Sequence, residues 1–157
     1  MNANPATPAA LQEVALHPFL SGLGKDHLEA LADCAMRLRF EPGDIIFREG
    51  DPANRFYLII KGKVALEMDD EEDQRVTIQA IGAGDVLGWS WLFPPYYTHF
   101  DARVLEPTEA MFIYGTRLRE MCENDHELGY EIYRRISEVV VQRLVAEQKQ
   151  IVGRRFA

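Results

Sequence analysis

The sequence predicts a mainly β fold, an antiparallel β-roll or sandwich with helices before and after it. Short β-prone runs follow one another from about residue 35 to residue 115, and glycine or proline turns separate them. Connections this short suit antiparallel strands, because parallel strands need long crossovers. On either side of this region, apolar residues recur at three- and four-residue steps, which is typical of helices.

Composition limits the class of protein. The 157 residues fit one domain, predicted at residues 11–157 after a disordered tail at residues 1–10. The net charge of −8 disfavours nucleic acid and anionic membranes as partners. No apolar run approaches the ~18 residues of a membrane span, and no signal peptide begins the chain. Cys34 and Cys122 lie outside any CxxC motif, which predicts free thiols in a cytoplasmic protein.

The elements before the middle of the chain show both helical and strand patterns. Leu11 begins a helical turn that stops at Pro18, and Asp26 is positioned to cap a second helix. Apolar residues alternate with arginines at residues 36–40, which predicts a half-buried strand. Further strands are predicted at residues 45–47, 56–60, 63–68, 76–81, 86–87, 102–105 and 110–114.

Two features that suggest metal binding carry little weight. Residues 69–73 are five consecutive acids, but they lack the alternating spacing and central glycine of a calcium loop. We therefore predict a solvated hairpin tip there. The four histidines form no ligand pair, and no nucleophile lies beside a base. We expect neither a metal site, nor a cofactor, nor an enzyme.

The last part of the chain is predicted to be helical over about residues 116–152. Thr116 caps a first segment, Asn124 and Asp125 end it, and a long helix starts near Glu127. The long helix carries an apolar stripe that needs a partner surface. Part of the stripe is expected to pack on the β-roll and part on a second copy, which predicts a homodimer.

An aromatic segment at residues 84–104 is the most unusual stretch. Gly84 and Gly88 bracket a short strand, and six aromatic residues follow within residues 88–100. Two consecutive prolines stiffen the middle of this stretch. The pattern predicts a strand, a glycine turn, a short helical turn, a rigid loop and another strand. A helical turn after a glycine offers free backbone N–H groups to an anion.

This order of elements resembles the cyclic-nucleotide-binding domain family, the sensor domain of catabolite-activator-type regulators. The resemblance rests on HPFL from residue 17, FEPGDIIFREGDPANRFYLIIKGKVAL at residues 40–66 and GAGDVLG at residues 82–88. It extends to about residue 152. It implies an eight-stranded antiparallel β-roll of the jelly-roll type, with N-terminal helices and a long C-terminal helix that commonly forms the dimer interface.

The resemblance also implies a phosphate-binding cassette, in which a Gly-Glu pair binds the ribose and a later arginine binds the cyclic phosphate. Gly88 matches the glycine, but Trp89 stands at the glutamate position and Thr98 at the arginine position. In this alignment Arg103 is not the phosphate-binding arginine. The candidate ligand-binding residues are Gly88, Trp89, Ser90, Trp91, Leu92, Tyr97, Thr98, His99 and Arg103.

Three functional hypotheses follow from the resemblance and its departures. The first is a non-catalytic sensor that binds a small molecule other than cyclic AMP or cyclic GMP and signals through a partner protein. The second is a ligand-free interaction module whose pocket is filled by Trp89 and Trp91. The third retains altered binding of a cyclic nucleotide or dinucleotide, stacked on the tryptophans. We expect no DNA-binding half after residue 152.

Overall fold

The computed structural model describes residues 8–156, which form six β-strands and four α-helices. Short 3-10 turns at Pro18–Leu20 and Ser90–Leu92 complete the secondary structure of this part of the chain. In chain order the main elements are α1 (Pro8–Leu16), α2 (Lys25–Cys34), β1 (Met36–Phe40), β2 (Ile45–Phe47), β3 (Arg55–Asp69), β4 (Arg75–Gly82), β5 (Val86–Leu87), β6 (Asp101–Tyr114), α3 (Gly115–Asn124) and α4 (His126–Phe156).

The strands form one antiparallel sheet in the order β1-β6-β3-β4, in which β2 also pairs with β6 and β5 with β3. This arrangement confirms the predicted β-roll with helices before and after it. The described strands number six, whereas eight were expected, because two pairs of predicted strands are continuous. Residues 56–60 and 63–68 both lie in β3, and residues 102–105 and 110–114 both lie in β6.

The two long strands bend without separating. Pairing between β3 and β6 continues through the bend, with register shifts between Ile59 and Val64. At this bend Gly62 has a φ of +116°, and a Cβ atom there would lie 2.6 Å from the Thr108 Cα. Glycine therefore permits both the backbone angle and the close approach that the bend requires.

Both faces of the first half of β3 are buried. On the inner face Tyr57 packs against Phe112, with ring centroids 6.2 Å apart. On the outer face Phe56 packs against Phe19 and Trp91, with ring centroids 5.4 Å and 5.8 Å apart, respectively. Burial on two sides explains why this run is apolar without alternation. The interior of the roll contains Tyr57, Ile59, Val64, Leu66, Ile81, Leu87, Ala102, Val104, Ala110 and Phe112.

The N-terminal helices differ from the prediction at their starts. Helix α1 begins at Pro8, within the predicted tail at residues 1–10, of which residues 1–7 lie outside the described residues. Helix α2 begins at Lys25 with Gly24 at its N-cap, so Asp26 lies in the first turn and is not the cap. An aspartate in the first turn still favours the helix through the dipole.

The acidic run forms the tip of the β3–β4 hairpin. Asp70 accepts hydrogen bonds through its carboxylate from the backbone N–H groups of Glu72, at 2.9 Å, and Gln74, at 2.8 Å. Asp73 adopts a left-handed conformation with a φ of 58°. One aspartate therefore organises the turn, as such side chains commonly do.

The chain divides into two compact units, one ending at Glu120 and the other beginning at Met121. Helix α4, in the second unit, runs for 31 residues and ends four residues beyond the predicted limit at residue 152. Its exposed large apolar side chains are Tyr130, Tyr133, Val140, Val141, Leu144, Val145, Ile151 and Val152. No helix within residues 8–156 is long and apolar enough to cross a membrane.

Candidate ligand-binding site

A cavity of about 200 Å³ lies beside the glycine turn that follows β5. Its wall comes from β2, from the loop between β2 and β3, from the start of β3 and from two positions of the aromatic segment. The lining residues are Ile46, Phe47, Asp51, Pro52, Ala53, Asn54, Arg55, Tyr57, Gly88 and Thr98. Pockets for drug-sized ligands commonly enclose about 300–1,000 Å³, so this cavity suits a smaller molecule.

Gly88 forms part of the cavity wall because the backbone passes very close to β3. Its φ is +85°, and a Cβ atom would lie 2.7 Å from the Arg55 carbonyl oxygen. A side chain at this position is therefore excluded both by backbone conformation and by space. The glycine that the sequence places at the start of the cassette is a requirement of the fold.

Thr98 lines the cavity, but its hydroxyl proton is already engaged. The hydroxyl donates to the Arg48 carbonyl oxygen at 2.5 Å. The backbone N–H of Thr98 donates to the Asp51 carbonyl at 2.9 Å, and the Gly50 N–H donates to the Thr98 carbonyl at 2.9 Å. Thr98 is 6% exposed. A hydroxyl has one proton, so this side chain has no donor left for an anion.

The two tryptophans do not line the cavity, nor do Ser90 and Leu92, among the residues that the structure describes. Trp91 is fully buried on the outer face of β3, and its indole N–H has no hydrogen-bond partner within the described residues. A Cβ atom at Gly115 would lie 2.7 Å from the Trp91 Cγ. Trp89 and Ser90 are half-buried. Trp91 therefore belongs to the core and has no free face on which a ligand can stack.

The loop after the tryptophans is held in place by an arginine that sequence analysis missed. Arg119 of α3 donates to the Trp91 carbonyl at 2.8 Å, and its guanidinium lies 4.5 Å from the Tyr96 ring centroid. Tyr96 has a φ of 63°, and its carbonyl accepts from the Ala53 N–H at 2.7 Å. These contacts fix a residue in a conformation that a bulky side chain rarely adopts. No sequence motif indicates that Arg119 meets this loop.

Tyr97 and His99, the other loop candidates, point into solvent. Tyr97 is 49% exposed and His99 is also exposed. Within the described residues neither lines the cavity. Phe93, which begins the same loop, is 51% exposed. The structure thus places two aromatic side chains on the surface of the loop, away from the cavity wall.

Arg103 is part of an ion-pair network and does not line the cavity. Its guanidinium makes two hydrogen bonds to Glu67, at 2.8 and 3.0 Å, and Glu67 is 3% exposed. Arg75 joins the network through an ion pair to Asp101, whose other carboxylate oxygen accepts from the Glu49 N–H at 2.7 Å. The hydrogen bond from Arg103 holds the pKa of Glu67 below its ordinary value. Arg103 is therefore structural.

Arg55 and Tyr57 supply polar groups to the cavity that sequence analysis did not select. The Arg55 guanidinium lies 4.4 Å from the Phe112 ring centroid and 5.6 Å from that of Tyr114. Burial raises the pKa of Tyr57, and a hydrogen bond from Arg55 opposes this rise. The two-residue period of a strand places Arg55 on the face that carries Tyr57. This two-residue period is the sequence signal from which Arg55 could have been predicted to lie beside Tyr57.

The structure therefore brings together only two of the nine candidates, Gly88 and Thr98, at a cavity of the β-roll. The β-roll with flanking helices matches the fold of cyclic nucleotide-binding domains. The sequence matches the family model of the cyclic nucleotide-binding domain over residues 37–125. This chain belongs to the cyclic nucleotide-binding domain family.

Similar proteins are regulatory. The cAMP-dependent protein kinase regulatory subunit of Dictyostelium discoideum is 42% identical over 51 residues, which cover 32% of this chain and 16% of that protein. A cyclic nucleotide-binding domain from Methylobacillus flagellatus superposes with a TM-score of 0.83 at 17% identity, covering 93% of this chain and 84% of the other. The regulatory subunit of a cAMP-independent protein kinase A from Trypanosoma brucei superposes with a TM-score of 0.69 at 27% identity. The match covers 82% of this chain and 46% of the other.

Proposed function

We propose that this chain is a regulatory module whose cavity binds a small ligand other than cyclic AMP or cyclic GMP, and that it signals through a partner protein. The observation that carries this proposal is the state of Thr98. It stands where the family resemblance places the phosphate-binding arginine, and its only hydroxyl proton is donated to the Arg48 carbonyl. The cavity beside it remains open.

The free energy lost with the two missing contacts is large enough to disfavour a cyclic nucleotide as the ligand. A hydrogen bond with a charged partner contributes roughly 1.5–3 kcal/mol. Loss of the glutamate and arginine contacts therefore weakens cyclic-nucleotide binding by about 3–6 kcal/mol, or a hundredfold to ten-thousandfold. The similar regulatory subunit from Trypanosoma brucei belongs to a cAMP-independent protein kinase A, which supports the proposal that cyclic AMP is not the ligand here.

Isothermal titration calorimetry with cyclic AMP and cyclic GMP tests the proposal. We expect millimolar binding or none with the unmodified chain. A matched experiment uses the double variant Trp89→Glu and Thr98→Arg, which restores the two charged groups. This variant should bind cyclic AMP more tightly than the unmodified chain does. Micromolar binding with one-to-one stoichiometry by the parent chain overturns the proposal.

A second candidate function is supported by the exposed loop aromatics. Phe93 and Tyr97 are about half exposed, and exposed aromatic residues are frequent in protein interfaces. In this alternative the loop docks a partner protein and the cavity stays empty. A thermal-shift screen of metabolites separates the two candidates, because a ligand that binds only the native state must raise the melting temperature.

Self-association and a cytoplasmic location are part of the same proposal. Val141 and Leu144 of α4 are 57% and 52% exposed and occupy one helix face, which favours a second copy as their partner. Within the described residues neither Cys34 nor Cys122 forms a disulfide bond. Burial raises the pKa of Cys122 to about 11, so its thiol stays protonated and unreactive at neutral pH.

A further inference from the structure

The cavity has one basic side chain among the described residues that line it, and that residue is Arg55. Arg55 begins β3 opposite Tyr114, on the face that carries Tyr57 and Phe112. Its guanidinium lies against the Phe112 ring, 4.4 Å from the centroid. Stacking on an aromatic ring orients a guanidinium but leaves its in-plane N–H groups available.

Arg55 differs in its partners from several other arginines that the structure describes. Arg103 has Glu67, Arg75 has Asp101, and Arg37 has Glu13 as an ion-pair partner. Within residues 8–156 no carboxylate forms an ion pair with Arg55. A guanidinium carries five N–H donors. These donors, on a side chain with no ion-pair partner within residues 8–156, make this side of the cavity suited to an anion.

We propose that Arg55 is the anion-binding group of the cavity and that the ligand is a small organic carboxylate with an apolar body. This inference rests on the proposed function, because it assigns a chemical class to the ligand of the same cavity. A carboxylate can accept two parallel hydrogen bonds from a guanidinium. Ile46 and Phe47 supply the apolar wall that the ligand body contacts.

The lining favours a singly charged ligand over a dianion. Asp51 also lines the cavity, and its carboxylate accepts from the Arg48 backbone N–H at 2.9 Å. Attraction to Arg55 and repulsion from Asp51 both double for a phosphate dianion and largely offset each other. The cost of taking an ion out of water rises more steeply with its charge, so a carboxylate monoanion is favoured. The volume of about 200 Å³ also suits a molecule smaller than a nucleotide.

Calorimetric titration with benzoate, benzamide, inorganic phosphate and cyclic AMP tests the inference. Benzamide is the neutral counterpart of benzoate. The proteins are the unmodified chain, Arg55→Gln and the matched control Arg39→Gln, whose side chain is exposed on β1 and pairs with Glu41. We expect benzoate to bind the unmodified chain and the control, and benzamide and phosphate to bind much more weakly. In Arg55→Gln, benzoate binding should weaken by about ten- to a hundredfold.

A second measurement does not depend on the stability of the variant. In the unmodified chain, addition of benzoate should shift the NMR signal of the Arg55 Nε–Hε group and leave that of Arg39 in place. Benzoate binding that is absent, or that Arg55→Gln leaves unchanged, overturns the inference and leaves the proposed function standing. Phosphate binding equal to benzoate binding overturns the choice of a carboxylate. Micromolar cyclic AMP binding instead overturns the proposed function.

Discussion

His17 uses one ring nitrogen to join the N-terminal segment to β3 and the other to cap the turn at Pro18–Leu20. Its Nε2 lies 3.0 Å from the Ile59 carbonyl oxygen, and its Nδ1 accepts from the Phe19 N–H at 3.2 Å. This pattern requires the neutral ring, because a protonated Nδ1 cannot accept a hydrogen bond. Burial lowers the pKa of His17 from its ordinary value of 6.5, although the Ile59 carbonyl and the Asp85 charge oppose the shift.

The sign of the pH dependence follows from this lowered pKa. Below pH 6.5 the unfolded chain protonates His17 while the folded chain does not, so the unfolded state binds more protons. We expect the His17 contribution to the free energy of unfolding to be complete above pH 6.5 and to decline as the pH falls toward the lowered value. Urea unfolding of the unmodified chain and of His17→Gln between pH 5 and pH 8 measures this.

Below pH 6.5 the free energy of unfolding of His17→Gln should depend less on pH than that of the unmodified chain. His99 is exposed, so His99→Asn is the matched control and should retain the parent profile. Identical slopes for the parent and His17→Gln would show that His17 does not carry this dependence.

Among individual residues, the sequence predicted glycines better than it predicted polar contacts. Gly88 could be placed because a turn after a strand needs a positive φ, and the structure gives +85°. Arg55 could not be predicted from the cassette pattern, because that pattern begins at Gly88 and does not include β3. The ion pair between Arg103 and Glu67 joins residues 36 positions apart, which no local pattern shows.

Arg119 connects α3 to the loop that follows the tryptophans. It contacts the Trp91 carbonyl and the Tyr96 ring, and so holds this loop at two points. A cation–π contact contributes about 0.5–1 kcal/mol at an exposed site, and a hydrogen bond contributes a similar amount. Loss of both should open the loop locally without unfolding the roll.

Replacement of Arg119 tests this connection. In Arg119→Gln we expect the backbone amides of residues 93 and 96–98 to exchange with deuterium about ten times faster, with little change in melting temperature. Arg117→Gln is the matched control, because Arg117 lies on the same helix and pairs only weakly with Glu120 at 3.8 Å. Unchanged exchange in residues 93 and 96–98 would contradict the role of Arg119.

Strands and helices were more predictable than their boundaries. Turn residues separate nearly every strand and so predict where strands occur, but Gly62 predicts a strand end where the structure has a bend. A glycine marks both a turn and a bend, and only pairing with a distant strand distinguishes them. The cavity was less predictable still, because β2, β3 and the aromatic segment approach one another only in the folded chain.

For the whole molecule, the exposed apolar face of α4 predicts self-association. Exposed large apolar residues at three- and four-residue spacing form a stripe, which soluble chains usually cover. Sedimentation velocity of the unmodified chain should give the mass of a dimer. The double variant Val141→Glu and Leu144→Glu should shift the equilibrium to the monomer, because two carboxylates would have to be buried at the interface.

Gln142→Glu with Gln148→Glu is the matched control for this change in charge, since both glutamines are exposed on the same helix. The control should remain dimeric. A monomeric parent chain at micromolar concentration would show that the stripe has another partner.

The two tryptophans of the chain give the protein its own optical reporter. The indole of Trp91 is fully buried against Phe56, whereas that of Trp89, next to the glycine turn, is partly exposed to solvent. Acrylamide should therefore quench the emission of Trp89 and leave that of Trp91 almost untouched. Because Trp89 directly follows Gly88 of the cavity wall, we expect a ligand in the cavity to change the quenching of Trp89 and not that of Trp91.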